Sequence, residues 1–98
     1  MILIKKAKTV NMVKRVLRTN AHKIAVHFSP IFKENNWRWG KKKRFIPNKM
    51  QIAKAINELI DDIEEDTEEV SGGRIVIQIK KSGEYYRCAV FLGHALFF

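Results

Sequence analysis

Two runs of alternating residues flank Ser82-Gly83, and they constrain this chain more than any other feature. Ile75, Ile77 and Ile79 alternate with Val76, Gln78 and Lys80, and Tyr85 to Leu92 brings the chain back. A period of two on either side of a Ser-Gly turn is the pattern of a β-hairpin. One face of that hairpin is apolar and needs a second layer to cover it.

The residues after Pro47 supply one such cover. Asn48 is a good helix N-cap, and Gln51 stands three residues on, as in a capping box. Ile52, Ile56, Leu59, Ile60 and Ile63 then form a stripe at helical spacing. Ser71-Gly72-Gly73 reads as the end of this helix. On that reading Glu58, Asp61, Asp62, Glu64, Glu65, Asp66, Glu68 and Glu69 fall in its C-terminal half, where the helix dipole disfavours negative charge.

The N-terminal half is read as follows. Residues 2–8 form a short strand, and Thr9 caps a helix over 10–19 in which Val10, Val13 and Leu17 share a face with help from Val16. The valines and threonines of this stretch also suit a continued strand. Asn20 suits a left-handed stop. From Lys23 to Phe28 the chain alternates, with Ile24, Val26 and Phe28 on one side, which reads as a strand interrupted by Pro30. Asn35-Asn36 marks a turn, and Trp37 and Trp39 alternate around Arg38 as a returning strand would.

The expected fold is therefore a single α+β domain over residues 1–98. It has an antiparallel sheet with two helices on one face, in the order β-α-β-β-α-β-β. The first six elements match the ferredoxin-like order. That architecture hosts many functions and specifies none.

Of the 98 residues, 46% are hydrophobic, enough for one modest core. No apolar run approaches the roughly 20 residues needed to cross a bilayer. The opening Met-Ile-Leu-Ile-Lys-Lys does not have the form of a signal peptide. A cytoplasmic protein without membrane attachment is expected. The lone Cys88 agrees, since one thiol cannot form an intrachain disulfide.

The net charge of +9 is unevenly distributed. Residues 1–44 carry 13 Lys and Arg against the single acid Glu34, whereas residues 45–70 carry eight acids against two lysines. Lys41, Lys42, Lys43 and Arg44 are consecutive and lie beside Trp37 and Trp39. Cations neutralise phosphates and release counterions, and exposed aromatic rings stack on unpaired bases. This pattern suggests nucleic acid as the partner. Arg38 and Lys41–Arg44 would contact phosphates, Trp37 or Trp39 would stack if exposed, and Lys14, Arg15 and Arg18 would extend the patch. The stretch from Trp39 to Phe45 does not carry the aromatic pattern of an RNA-recognition sheet, and no KH loop or zinc-finger spacing occurs. Binding that ignores sequence is the expectation.

Among the acids, Asp61, Asp62, Glu65 and Glu69 are the candidates for contact with a basic partner. Glu58, Asp62 and Glu65 would share a helix face that could hold Mg²⁺ or Ca²⁺, but no EF-hand loop surrounds them. No metal or other cofactor is assigned. His22, His27 and His94 are scattered, Cys88 alternates with apolar neighbours, and Gly72-Gly73 precedes a strand rather than a helix. The chain is read as non-enzymatic. The apolar tail Ala95-Leu96-Phe97-Phe98 packs within the chain or, alternatively, against a second copy in a homodimer. The functional expectation is a small nucleic-acid-binding protein. The alternative is a protein-interaction module or small inhibitor that binds a larger enzyme or nucleoprotein through its charged surfaces.

Overall fold

The computed structural model of the chain describes residues 2–39 and 45–93, with residues 2–6 described in their backbone only. Among the described residues the order is β1 (Ile2–Ala7), α1 (Val10–Glu34), α2 (Lys49–Asp61), β2 (Glu69–Gly72), β3 (Ile75–Ser82) and β4 (Tyr85–Leu92). The meander β2–β3–β4 is antiparallel, and β1 joins it beside β4 to give the strand order β1-β4-β3-β2. The class is α+β with two helices on an antiparallel sheet, as patterning predicts. The order β-α-β-β-α-β-β is not found, because two expected strands are absent and one unexpected strand is present.

The first correction concerns residues 10–34, which form one 25-residue helix. Thr9 caps it as expected, its Oγ1 accepting from the Met12 amide at 3.1 Å. Asn20 does not stop the helix; its Nδ2 donates to the Val16 carbonyl at 2.7 Å. Val13, Leu17, Ala21, Ile24, Phe28 and Phe32 recur at spacings of three and four, and all are buried. Ile24 and Phe28 suit either period, since a step of four fits both. Val26 separates the two: a strand would bury it with them, but it is 46% exposed. Pro30 stands inside the helix, close to its C-terminal end. It removes one backbone donor without ending the helix. Asn35 closes α1 by donating to the Ile31 carbonyl from both its amide and its Nδ2, at 3.1 and 2.9 Å. Asn36 then turns the chain at φ +50.

The expected strand at Trp37–Trp39 reduces to an isolated bridge. Trp39 and Phe45 exchange backbone hydrogen bonds of 2.7 and 3.1 Å. Helix α2 follows with the expected capping box, in which Asn48 and Gln51 each accept from the other's amide at 2.9 Å.

The second correction concerns the end of α2. It stops at Asp61 with Asp62 as its C-cap, so residues 63–69 are not helical. Ile63 still reaches the core. The next stripe positions, Asp66 and Thr67, offer nothing to bury. Thr67 instead builds a competing turn: its Oγ1 accepts from the Glu64 amide at 2.8 Å, and its amide donates to the Glu64 carbonyl at 3.0 Å. The helix dipole also opposes further acids there. Released from the helix, residues 69–72 pair with β3 as β2.

The C-terminal hairpin forms as read, with Gly83 at φ +63 in its turn. Ile75, Ile77 and Ile79 stand opposite Leu92, Val90 and Cys88. These six side chains are buried and join the stripes of α1 and α2 in one apolar cluster. Both helices therefore cover the same face of the sheet. None of the described polar or charged residues is buried.

Candidate nucleic-acid interface

Helix α1 carries five of the 13 Lys and Arg of residues 1–44. Arg15, Arg18, Lys23 and Lys33 are exposed along it, and Lys14 is half-buried. Glu34, at the helix end, is its one acid. At 1.5 Å per residue, Arg15 and Lys33 stand about 27 Å apart along the axis. Sequence reasoning missed Lys23 and Lys33 as members of this surface, because their segment was read partly as a strand. Counting Ala21 and Ala25 as apolar members of the stripe would have found them.

Arg18 is the point where the basic and acidic parts of the chain meet. Its Nη2 donates to Asp61 Oδ1, across 43 residues of sequence. The contact ties the first half of α1 to the last turn of α2. Both side chains stay substantially exposed, at 44% and 63%. Arg18 is thus shared with a carboxylate yet still reachable.

The tryptophans are not a free stacking platform. Trp37 and Trp39 are both half-buried against the core. Trp37 meets Phe32 edge-on at 5.9 Å between centroids, and the Arg74 guanidinium lies 4.6 Å from its ring centre. Trp39 stacks on Phe32 at 5.8 Å. Two glycines make room for the rings: Gly93 beneath Trp37 and Gly73 beneath Trp39. Arg38, between them, is exposed. Lys41, Lys42, Lys43 and Arg44 lie outside the described residues, as does the tail 94–98.

The acidic candidates do not share one helix face. Asp61 ends α2, Asp62 caps it, Glu65 lies in the following turn and Glu69 opens β2; all four are exposed. Glu65 borders two shallow clefts, shared with Lys81 and Tyr86, where the α2–β2 loop meets the β3–β4 hairpin. Their linings mix both charges. Among the described residues no three His, Cys, Asp or Glu side chains gather closely enough to hold a metal ion.

Cys88 is buried on the inner face of β4, and burial pushes its thiol up to about 12. It is a core residue in its position and its chemistry, since the thiolate is the reactive form. His22 and His27 are exposed on α1. No described helix is long and apolar enough to cross a membrane. No protein-family model, curated protein or solved structure matches this chain.

Proposed function

We propose that the chain is a non-enzymatic nucleic-acid-binding protein that uses the outward face of α1, together with Arg38 and the cations Lys41, Lys42, Lys43 and Arg44. The observation that carries this reading is the unbroken course of α1, which places Arg15, Arg18, Lys23 and Lys33 on the exposed surface of one helix. Cations so placed neutralise phosphates, and their affinity rests on counterion release. The basic residues act as the contact; the tryptophans pack on Phe32 rather than stack on bases.

The test is a salt titration of binding to mixed-sequence nucleic acid by fluorescence anisotropy. Binding is expected at about 50 mM salt, weakening steeply as salt rises. The triple variant Arg15→Glu, Lys23→Glu, Lys33→Glu should lose it with its fold intact, since all three side chains are exposed. Absence of binding by the parent chain at low salt would sink the reading.

The protein-interaction reading draws on a different observation, the exposed acids Asp61, Asp62, Glu65 and Glu69 between the end of α2 and the start of β2. It requires a stoichiometric protein complex that survives nuclease treatment.

A further inference from the structure

We infer that α1 docks in the major groove of B-form DNA, with its middle facing base edges and its two ends on phosphates. This rests on the nucleic-acid-binding reading above and narrows it to one ligand, the DNA duplex.

The exposed face of α1 has a definite pattern across its width. Met12, Thr19 and Val26 recur every seven residues and form a central strip that is uncharged up to Val26. Met12 is 40% and Val26 46% exposed, and Thr19 is also exposed. Residues at i+3 and i+4 flank such a strip on its two sides. On one side stand Arg15 and His22, with Arg18 farther round; on the other stand Lys23, His27 and Glu34, and Lys33 continues the line of the strip at its C-terminal end. Met12 and Val26 thus stand in water among cations, with Arg15 and Arg18 on one side, Lys23 on the other and Lys33 at the C-terminal end.

A B-form major groove supplies what this cross-section lacks. An α-helix with its side chains is about 10–12 Å across, and the groove is about 12 Å wide, with phosphates along both rims. Cations on the shoulders meet the rims, while small or apolar side chains in the middle face base edges and thymine methyls. The groove curves around the duplex and a helix does not. Contact with base edges is therefore confined to the middle of α1, near Thr19 and Val26, and the ends bearing Arg15 and Lys33 meet the backbone.

The other nucleic acids fit less well. The A-form RNA major groove is deep and too narrow for side chains to read. A single strand would be held chiefly by stacking, yet Trp37 and Trp39 are half-buried and already engaged with Phe32.

Anisotropy titrations of one labelled sequence as duplex DNA, as single-stranded DNA and as duplex RNA decide the matter. At about 50 mM salt the DNA duplex should bind at least about tenfold more tightly than the other two. Val26→Glu places a carboxylate in the central strip at an exposed helix position, so the fold should stand. It should weaken duplex DNA binding at least about tenfold. Gln78→Glu adds the same charge on the exposed outer face of β3 and should change binding less than about twofold. Equal affinity for all three nucleic acids, or equal effects of the two substitutions, would overturn groove docking while leaving polyanion binding in place. If none of the three binds, both proposals fail together.

Discussion

Trp37 rests on Gly93: a Cβ added to Gly93 would lie 3.0 Å from the indole Cη2. The backbone there is at φ +74, in the left-handed region. Two costs coincide, since any side chain would strain the backbone and also push the ring away from Phe32 and Arg74. Gly83, in the β3–β4 turn, has φ +63 but open space around it. Gly83→Ala should therefore cost only the backbone term, about 1 kcal/mol. Gly93→Ala should cost about 2–3 kcal/mol, with displacement of the indole added. Urea unfolding followed by tryptophan emission measures both. Equal losses at the two sites would show that the Trp37 contact carries no weight.

The Arg18–Asp61 pair should contribute little to stability. Both partners are exposed, and such pairs give up much of their attraction to solvent and to side-chain ordering. A double-mutant cycle with Arg18→Gln and Asp61→Asn should yield a coupling of less than about 1 kcal/mol. It should fade toward zero at about 1 M salt, where the screening length is about 3 Å. The same Asp61→Asn change releases Arg18 and should strengthen nucleic-acid binding about two- to threefold at low salt. A coupling above about 2 kcal/mol would mark the pair as structural and remove Arg18 from the proposed interface.

The parts of the fold that were legible in the sequence are those where one period stands alone. The hairpin at Ile75–Leu92 has strict alternation with a Gly turn, and α2 has a capping box followed by a stripe of isoleucines. Residues 20–34 failed because Ile24 and Phe28 fit a strand as well as a helix. Alanines 21 and 25, weak in hydrophobicity, carry the deciding positions. The helix end was misplaced because Ser71-Gly72-Gly73 is a stronger stop than anything at Asp61. The chain nevertheless leaves the helix earlier, through the Glu64–Thr67 turn. For the site, the cations were visible but their alignment was not. The spacings between Arg15, Arg18, Lys23 and Lys33 mean nothing until the segment is known to be one helix.

The Asn48–Gln51 capping box offers a local test of how firmly α2 is seated. Both side chains are exposed, so substitution leaves no buried group unpaired. Asn48→Ala should lower stability by about 1 kcal/mol through loss of the bond to the Gln51 amide. Gln51→Ala should cost less, because water can replace its bond to the Asn48 amide. The double variant should cost less than the sum of the two, since each cap positions the other. Thermal melts by circular dichroism are sufficient, and additive losses would show that the two bonds act separately.

Cys88 sets the pH dependence of stability on the alkaline side. Its thiol ordinarily ionises at 9.0, and burial among Ile79, Val90 and their neighbours pushes it up to about 12. Below pH 9 the folded and unfolded states both keep the proton, so Cys88 gives stability no slope there. Between 9 and about 12 the unfolded thiol releases its proton while the native one holds it. Stability therefore falls as pH rises, by up to about 1.4 kcal/mol per pH unit from this one group. Tyrosines and lysines also titrate in this range, so the informative quantity is the difference between the parent chain and Cys88→Ala. The parent should be the more stable at pH 8, since it fills a volume that alanine does not, and its advantage should shrink steadily above pH 9. Ellman's reagent gives an independent reading: the native thiol should react only at the rate of unfolding, and denaturant should release it at once. A pH-independent difference, together with prompt labelling of the native chain, would show that Cys88 is open to solvent and that the inner face of β4 is not sealed by α1 and α2.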